Sequence, residues 1–171
     1  AGEADLKAVI LERRHRPGLK LLLCGNNRCN ISQNARPADM LSAYGVPVAD
    51  FLRPAIEAFP PATLRRWFDA CGLPTVVHDD DRIFPRSERA DDVLHCFTDR
   101  LRDWSVPIML NAAVDTIERD DQGVFVIVGS RFTVRAPRLL LATGGVSYPK
   151  TGSVGDGQTF AKRLGHRIEP Y

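Results

Sequence analysis

No apolar run in this chain approaches the ~20 residues that a membrane-spanning helix needs. The start also lacks the charged, apolar and small-residue succession of a secretory leader. An excess of one charge is missing as well. Lys plus Arg number 23 against 21 acidic residues, a formal charge of +2, which is too little for binding driven by nucleic-acid phosphates. The densest basic run, Arg13-Arg14-His15-Arg16, reads as a solvated turn after a strand. The four cysteines, at positions 24, 29, 71 and 96, lack zinc-site spacing and read as thiols of a reducing compartment. Histidines are as scattered; His78 before Asp79-Asp80-Asp81 has the donor types for a metal, but an acidic turn tip accounts for it better. What is present is an ordinary globular composition, 44% hydrophobic and 26% charged over 171 residues, enough for a proper core. The expectation is a cytoplasmic protein with a small-molecule partner, no nucleic acid, no membrane and no metal.

The most informative stretch is Arg138 to Gly165. Leu139 to Ala142 reads as a strand buried on both faces, and it runs out into Thr143-Gly144-Gly145. Paired glycines at a strand's carboxyl end allow backbone to approach a ligand, where open α/β sheets bind theirs; a plain tight turn is the competing explanation. A second glycine-rich turn, Thr151 to Gly157, feeds a short helix carrying Phe160, Ala161 and Leu164 and closed by Gly165. Its free N–H groups suit a phosphate or a chain of hydroxyls, with Asp156 as hydrogen-bond acceptor.

Taken from the start, Ala1 to Leu6 read as the end of a helix, and Lys7 to Leu11 as a short buried strand ending at Glu12. A carboxylate there is where a dinucleotide-binding unit contacts the adenosine ribose, about 20 residues after its glycine turn. Between Pro37 and Trp104 the pattern is helical with short strands interposed. Leu64, Trp67, Phe68 and Cys71 form one helical stripe ending at Gly72; Val93, Leu94, Phe97, Leu101 and Trp104 form another, with Cys96 beside it and His95 off it. Thr75 to His78 and Arg82 to Pro85 read as strands joined by the acidic turn. Arg82 and Arg86 are solvated arginines or contacts for a substrate anion. Strands are then expected over 107–110, 113–117, 123–128 and 132–135, with a hairpin turn at Asp120 to Gly123.

Read together, V-I-L-E at 9–12, G-x-K-L-L-L at 18–23, G-N-N-R-C-N at 25–30, R-I-F-P at 82–85 and L-A-T-G-G-x-S-Y-P-x-T-G-S-x-G-D-G at 141–157 resemble the bacterial FAD-dependent flavoproteins of the aminoacetone-oxidase-like, BaiN-type family. The last block also resembles elements of the wider fumarate-reductase-like flavoproteins. One departure is that Gly25-Asn26-Asn27 stands where the family usually has three glycines, and Asn is the non-glycine residue that best tolerates the left-handed region.

The resemblance implies an α/β fold, a FAD-type Rossmann domain with a parallel sheet and an antiparallel crossover segment, incomplete at both ends. It divides the chain into a second strand and flavin loop (1–36), a helical segment (37–106), an antiparallel segment (107–136) and the glycine strand and helix (137–171). It implies FAD as cofactor, with NADH or NADPH as co-substrate, and hydride transfer in the complete protein. The fragment alone is expected to hold FAD poorly or not at all. Glu12 would hold the adenosine ribose and Val114 the adenine through backbone groups, although packing in the sheet competes as the explanation of Val114. Thr143, Gly144, Gly145 and Asp156 would lie along the adenosine diphosphate and ribityl portion, and Arg28, Cys29 and Asn30 nearer the isoalloxazine.

Two alternatives stay open. Cys24 and Cys29, spaced as in disulfide reductases, would serve as a redox pair if a helix N-terminus lowered a thiol's pKa. A truncated, non-enzymatic nucleotide- or partner-binding domain is the other.

Overall fold

The computed structural model describes residues 7–169. The helix end expected over Ala1 to Leu6 lies outside them. The chain divides into two compact units, residues 1–20 with 104–171 and residues 21–103.

The first unit contains the parallel pairing. Strand β1 (Ile10–Leu11) lies beside β5 (Ile108–Met109), with Ile10 opposite Ile108 and Leu11 opposite Met109. The strand expected over Lys7 to Leu11 is thus only its last two residues, and Val9 and Ile10 are more than a third exposed. A three-stranded antiparallel sheet follows, β6 (Val114–Arg119), β7 (Phe125–Gly129) and β8 (Phe132–Ala136), in that order. The hairpin between β6 and β7 closes on Asp120, whose carboxylate accepts from the N–H groups of Gln122 and Val124, both at 2.9 Å. Ile117, Ile127 and Phe160 form the buried centre of this unit, with Leu11, Val134, Leu139, Leu141 and Leu164 packed around it. Phe160 and Leu164 lie one turn apart, which is why the apolar side of α6 (Asp156–Arg163) faces that core.

The run Leu139 to Ala142 departs from expectation. It is assigned to no strand, and Leu140 is 86% exposed while Leu139 and Leu141 pack inward. That in-out-in alternation is extended backbone with one face on a core, not a strand buried on both. A strand exists through its hydrogen-bonded neighbours, and among the described residues none pairs with this run.

The second unit is mostly helical. Helix α1 (Leu19–Leu23) is a single turn in which the boundary between the units falls. Then come β2 (Ser32–Gln33), α2 (Pro37–Ser42), α3 (Val46–Ala58) and α4 (Pro61–Ala70). Proline stands at the first or second position of these last three helices, where its missing N–H has no partner to lose. Strands β3 (Thr75–Val77) and β4 (Arg82–Pro85) flank the acidic turn as expected, and with β2 they make an antiparallel sheet ordered β2-β4-β3. Helix α5 (Ala90–Asp103) follows. The two predicted stripes meet in one core of Phe68, Leu73, Ala90, Val93, Cys96 and Cys29. Trp67 stacks on Phe97 at 5.3 Å between ring centroids, so the partly exposed Phe97 still belongs to the packed face.

Candidate functional site

In the first unit the two glycine turns are fastened together. The N–H of Gly157 donates to the hydroxyl of Thr143 at 3.0 Å, which places the Thr143-Gly144-Gly145 turn against the first turn of α6. A Cβ at Gly157 would lie 2.3 Å from that hydroxyl, so no larger residue fits without moving the turn. Gly144 has φ +74°, a conformation that side chains rarely adopt, and a Cβ there would lie 2.9 Å from the hydroxyl of buried Ser153. The α6 N-cap is Gly155, whose missing side chain leaves the helix's first N–H groups without a capping partner from that residue.

The end of β1 reaches the same place. Arg13 is ion-paired with Asp156, and the side chains of Arg13 and Arg14 lie 3.3 Å from where a Cβ at Gly152 would stand. Glu12 accepts from the N–H of Arg14 through one carboxylate oxygen at 2.8 Å, and its carbonyl accepts from the N–H of Ala112 at 2.9 Å. Val114, two residues on, opens β6 opposite Gly129, next to a β-bulge, and its side chain packs on the core. Lys20, the last residue of the first unit's opening segment, donates to the Ser147 hydroxyl at 2.8 Å. The first unit therefore brings Glu12, Val114, Thr143, Gly144, Gly145 and Asp156 into one neighbourhood.

In the second unit the loop after α1 is strained. Gly25, Asn26, Asn27 and Cys29 all have positive φ, between 56° and 65°, so the two asparagines do adopt the conformation that glycine would. Arg28 is held within this unit: its Nε donates to the Gly25 carbonyl at 3.2 Å, and its guanidinium lies 4.8 Å from the Phe84 ring centroid and 3.6 Å from the Glu88 carboxylate. Glu88 also pairs with His78 at 2.8 Å, which accounts for that histidine. Cys29 is buried, and burial first, then the neighbouring Cys24, pushes its thiol up to about 11. Cys24 stands just past the carboxyl end of α1, not at a helix N-terminus. Both facts run against a disulfide-reductase pair, which needs a lowered pKa. Asn30 has a buried side-chain oxygen with no hydrogen-bond partner.

The family described as the HI0933-like protein Rossmann domain matches the chain over residues 1–171. The chain belongs to this family. It is 32% identical over 168 residues to the 3-dehydro-bile acid delta(4,6)-reductase of Clostridium scindens, covering 98% of this chain and 40% of that protein. It is 24% identical over 171 residues to the ribosomal RNA dihydrouridine synthase of Escherichia coli, covering 99% of this chain and 41% of that protein. The chain thus spans about two fifths of the length of these curated relatives.

As a member of the HI0933-like family the chain is an FAD-binding Rossmann region, with the α/β fold that the motifs imply. The residues present suit such a nucleotide. In the first unit a Cβ at Gly145 would meet nothing within 4 Å, and Gln158 has a buried side-chain oxygen without a hydrogen-bond partner; in the second unit Asn30 has another. Gln158 escaped the sequence reading. Its signal was available: it stands three residues after the N-cap Gly155, the position from which a Gln side chain ordinarily reaches back over a helix start. The Thr143 to Gly157 hydrogen bond and the Arg13 to Asp156 pair also escaped it, because residues 14 and 143 positions apart are joined by folding and by no local pattern.

Proposed function

We propose that the complete protein is a flavin-dependent oxidoreductase in which hydride passes between a reduced nicotinamide or an organic substrate and FAD. FAD, when bound, supplies that two-electron chemistry; the chain holds and orients it. The observation that carries this reading is the Thr143 to Gly157 hydrogen bond, which sets a side-chain-free turn and Asp156 together at the start of α6. Glu12 is assigned to the adenosine ribose and the backbone at Val114 to the adenine. Thr143, Gly144, Gly145 and Asp156 are assigned to the adenosine diphosphate and ribityl portion, and Gln158 offers a further acceptor there. Arg28, Cys29 and Asn30 are assigned to the isoalloxazine, with the free oxygen of Asn30 as acceptor.

We favour a small organic substrate over RNA. Lys plus Arg number 23 against 21 acidic residues, and the basic residues are scattered, so the formal charge of +2 favours no phosphate-rich partner. The two relatives' names share one chemical idea, saturation of a double bond, which makes an unsaturated carbonyl compound the substrate class to try first. The test is the absorbance spectrum of the complete protein, followed by anaerobic addition of NADH or NADPH. Flavin bands that bleach on reduction support the reading; a protein that releases no FAD on denaturation and takes none up defeats it.

A further inference from the structure

Away from the glycine turns, the second unit has an open cleft of about 560 Å³ lined by Cys71, Cys96, His95, Asp92, Asp99 and Arg86, among others. We propose that Cys71 and Cys96 are a reversible dithiol–disulfide couple, oxidised in this cleft by low-molecular-weight disulfides.

Four observations carry the proposal. Cys71 is the C-cap of α4 and Cys96 lies in α5, so a bond between them would tie the end of one helix to the middle of the other. Arg100 follows Cys96 by one turn and so shares its face of α5, and its Nη2 donates to the Cys71 sulfur at 3.3 Å. Cys71 packs against the core cluster that contains Cys96, and both line the cleft. They differ in access: Cys71 is half-buried, whereas Cys96 is 8% exposed.

The difference assigns the roles. Cys71, open to the cleft and beside a guanidinium, is the attacking sulfur. Cys96 is buried and its thiol is pushed up to about 12, by burial first and by Cys71 next, so it is the sulfur that reacts second. The Cys71 thiolate attacks one sulfur of the small disulfide, the S–S bond breaks, and one small thiol leaves with the proton that Cys71 gave up. With Cys71 held in a mixed disulfide, its raising effect on the Cys96 thiol is removed. Cys96 attacks the Cys71 sulfur and expels the second small thiol, which takes the Cys96 proton. Two cysteine thiols are oxidised by two electrons, and one disulfide is reduced to two thiols.

The test is to reduce the full chain, expose it to oxidised glutathione, block remaining thiols with N-ethylmaleimide and map the linkages by mass spectrometry after proteolysis. The expected product is a peptide pair joined through Cys71 and Cys96. Cys96→Ser is expected to trap a stable glutathione adduct on Cys71. Arg100→Met, which removes the donor to the Cys71 sulfur, is expected to slow oxidation of the pair severalfold relative to wild type. The mapping of the wild-type chain depends on no variant's folding. Recovery of Cys71 and Cys96 both alkylated after prolonged oxidation, or of a cross-link confined to Cys24 and Cys29, would overturn the proposal.

Discussion

The hydroxyl of Thr143 and the backbone N–H of Gly157 are 3.0 Å apart, and that single bond fixes one glycine turn upon the other. Gly157→Ala forces a methyl group to within 2.3 Å of the hydroxyl. Overpacking of this kind costs about 1–3 kcal/mol. Thr143→Val keeps the shape and loses the acceptor, for about 1 kcal/mol. Urea denaturation should therefore rank Gly157→Ala below Thr143→Val, and FAD titration of the complete protein should rank them in the same order. Equal stability of Gly157→Ala and wild type would mean that the two turns are not fastened here.

Asp156 meets Arg13 with both side chains 36% exposed. Exposed pairs contribute about 0–1 kcal/mol, so Asp156→Asn should leave the unfolding midpoint nearly unchanged. Its effect on FAD should be larger. Loss of a charge-assisted hydrogen bond to a ribityl or ribose hydroxyl, about 1.5–3 kcal/mol, weakens affinity roughly tenfold or more. The two measurements separate a binding role from a structural one: a stability loss with unaltered affinity would place Asp156 in the fold alone.

Periodicity revealed the elements that bury a face by themselves. The stripes Leu64 to Cys71 and Val93 to Trp104 became helices α4 and α5, and the strands around the turns at Asp79–Asp81 and Asp120–Gly123 lie where alternation and turn chemistry put them. Periodicity failed where a segment's state depends on a neighbour. Leu139 to Ala142 has the composition of a doubly buried strand, yet pairing decides strands and composition does not. Motif order was enough to indicate the family, because glycines and their polar companions recur at fixed offsets around a phosphate-bearing ligand. The pairings of Arg13 with Asp156 and of Lys20 with Ser147 were invisible, since charge complementarity across more than a hundred residues has no sequence period.

Asn30 and Gln158 each keep a buried oxygen without a partner. An unsatisfied buried polar atom destabilises the fold, so replacing it by an apolar group of similar size costs little or stabilises. Asn30→Leu and Gln158→Leu should therefore unfold within about 1 kcal/mol of wild type, or later. If the oxygens serve the cofactor, the same variants of the complete protein should lose FAD affinity by about tenfold. A large stability loss with affinity preserved would show that these oxygens have partners within the protein.

Cys29 provides a pH signature. Burial raises its thiol from an ordinary value of 9.0 to about 11 in the folded chain. Because the folded state holds the proton more tightly than the unfolded state, the associated stability is complete below pH 9 and is lost as the pH rises through 11. Denaturation midpoints of wild type should fall across that interval, and Cys29→Ala, though less stable at neutral pH from the cavity it opens, should fall less steeply over it. The same burial makes Cys29 a poor nucleophile: iodoacetamide at mildly alkaline pH should modify exposed Cys24 well before Cys29. Faster modification of Cys29 would contradict its burial and reopen the disulfide-reductase reading of this pair.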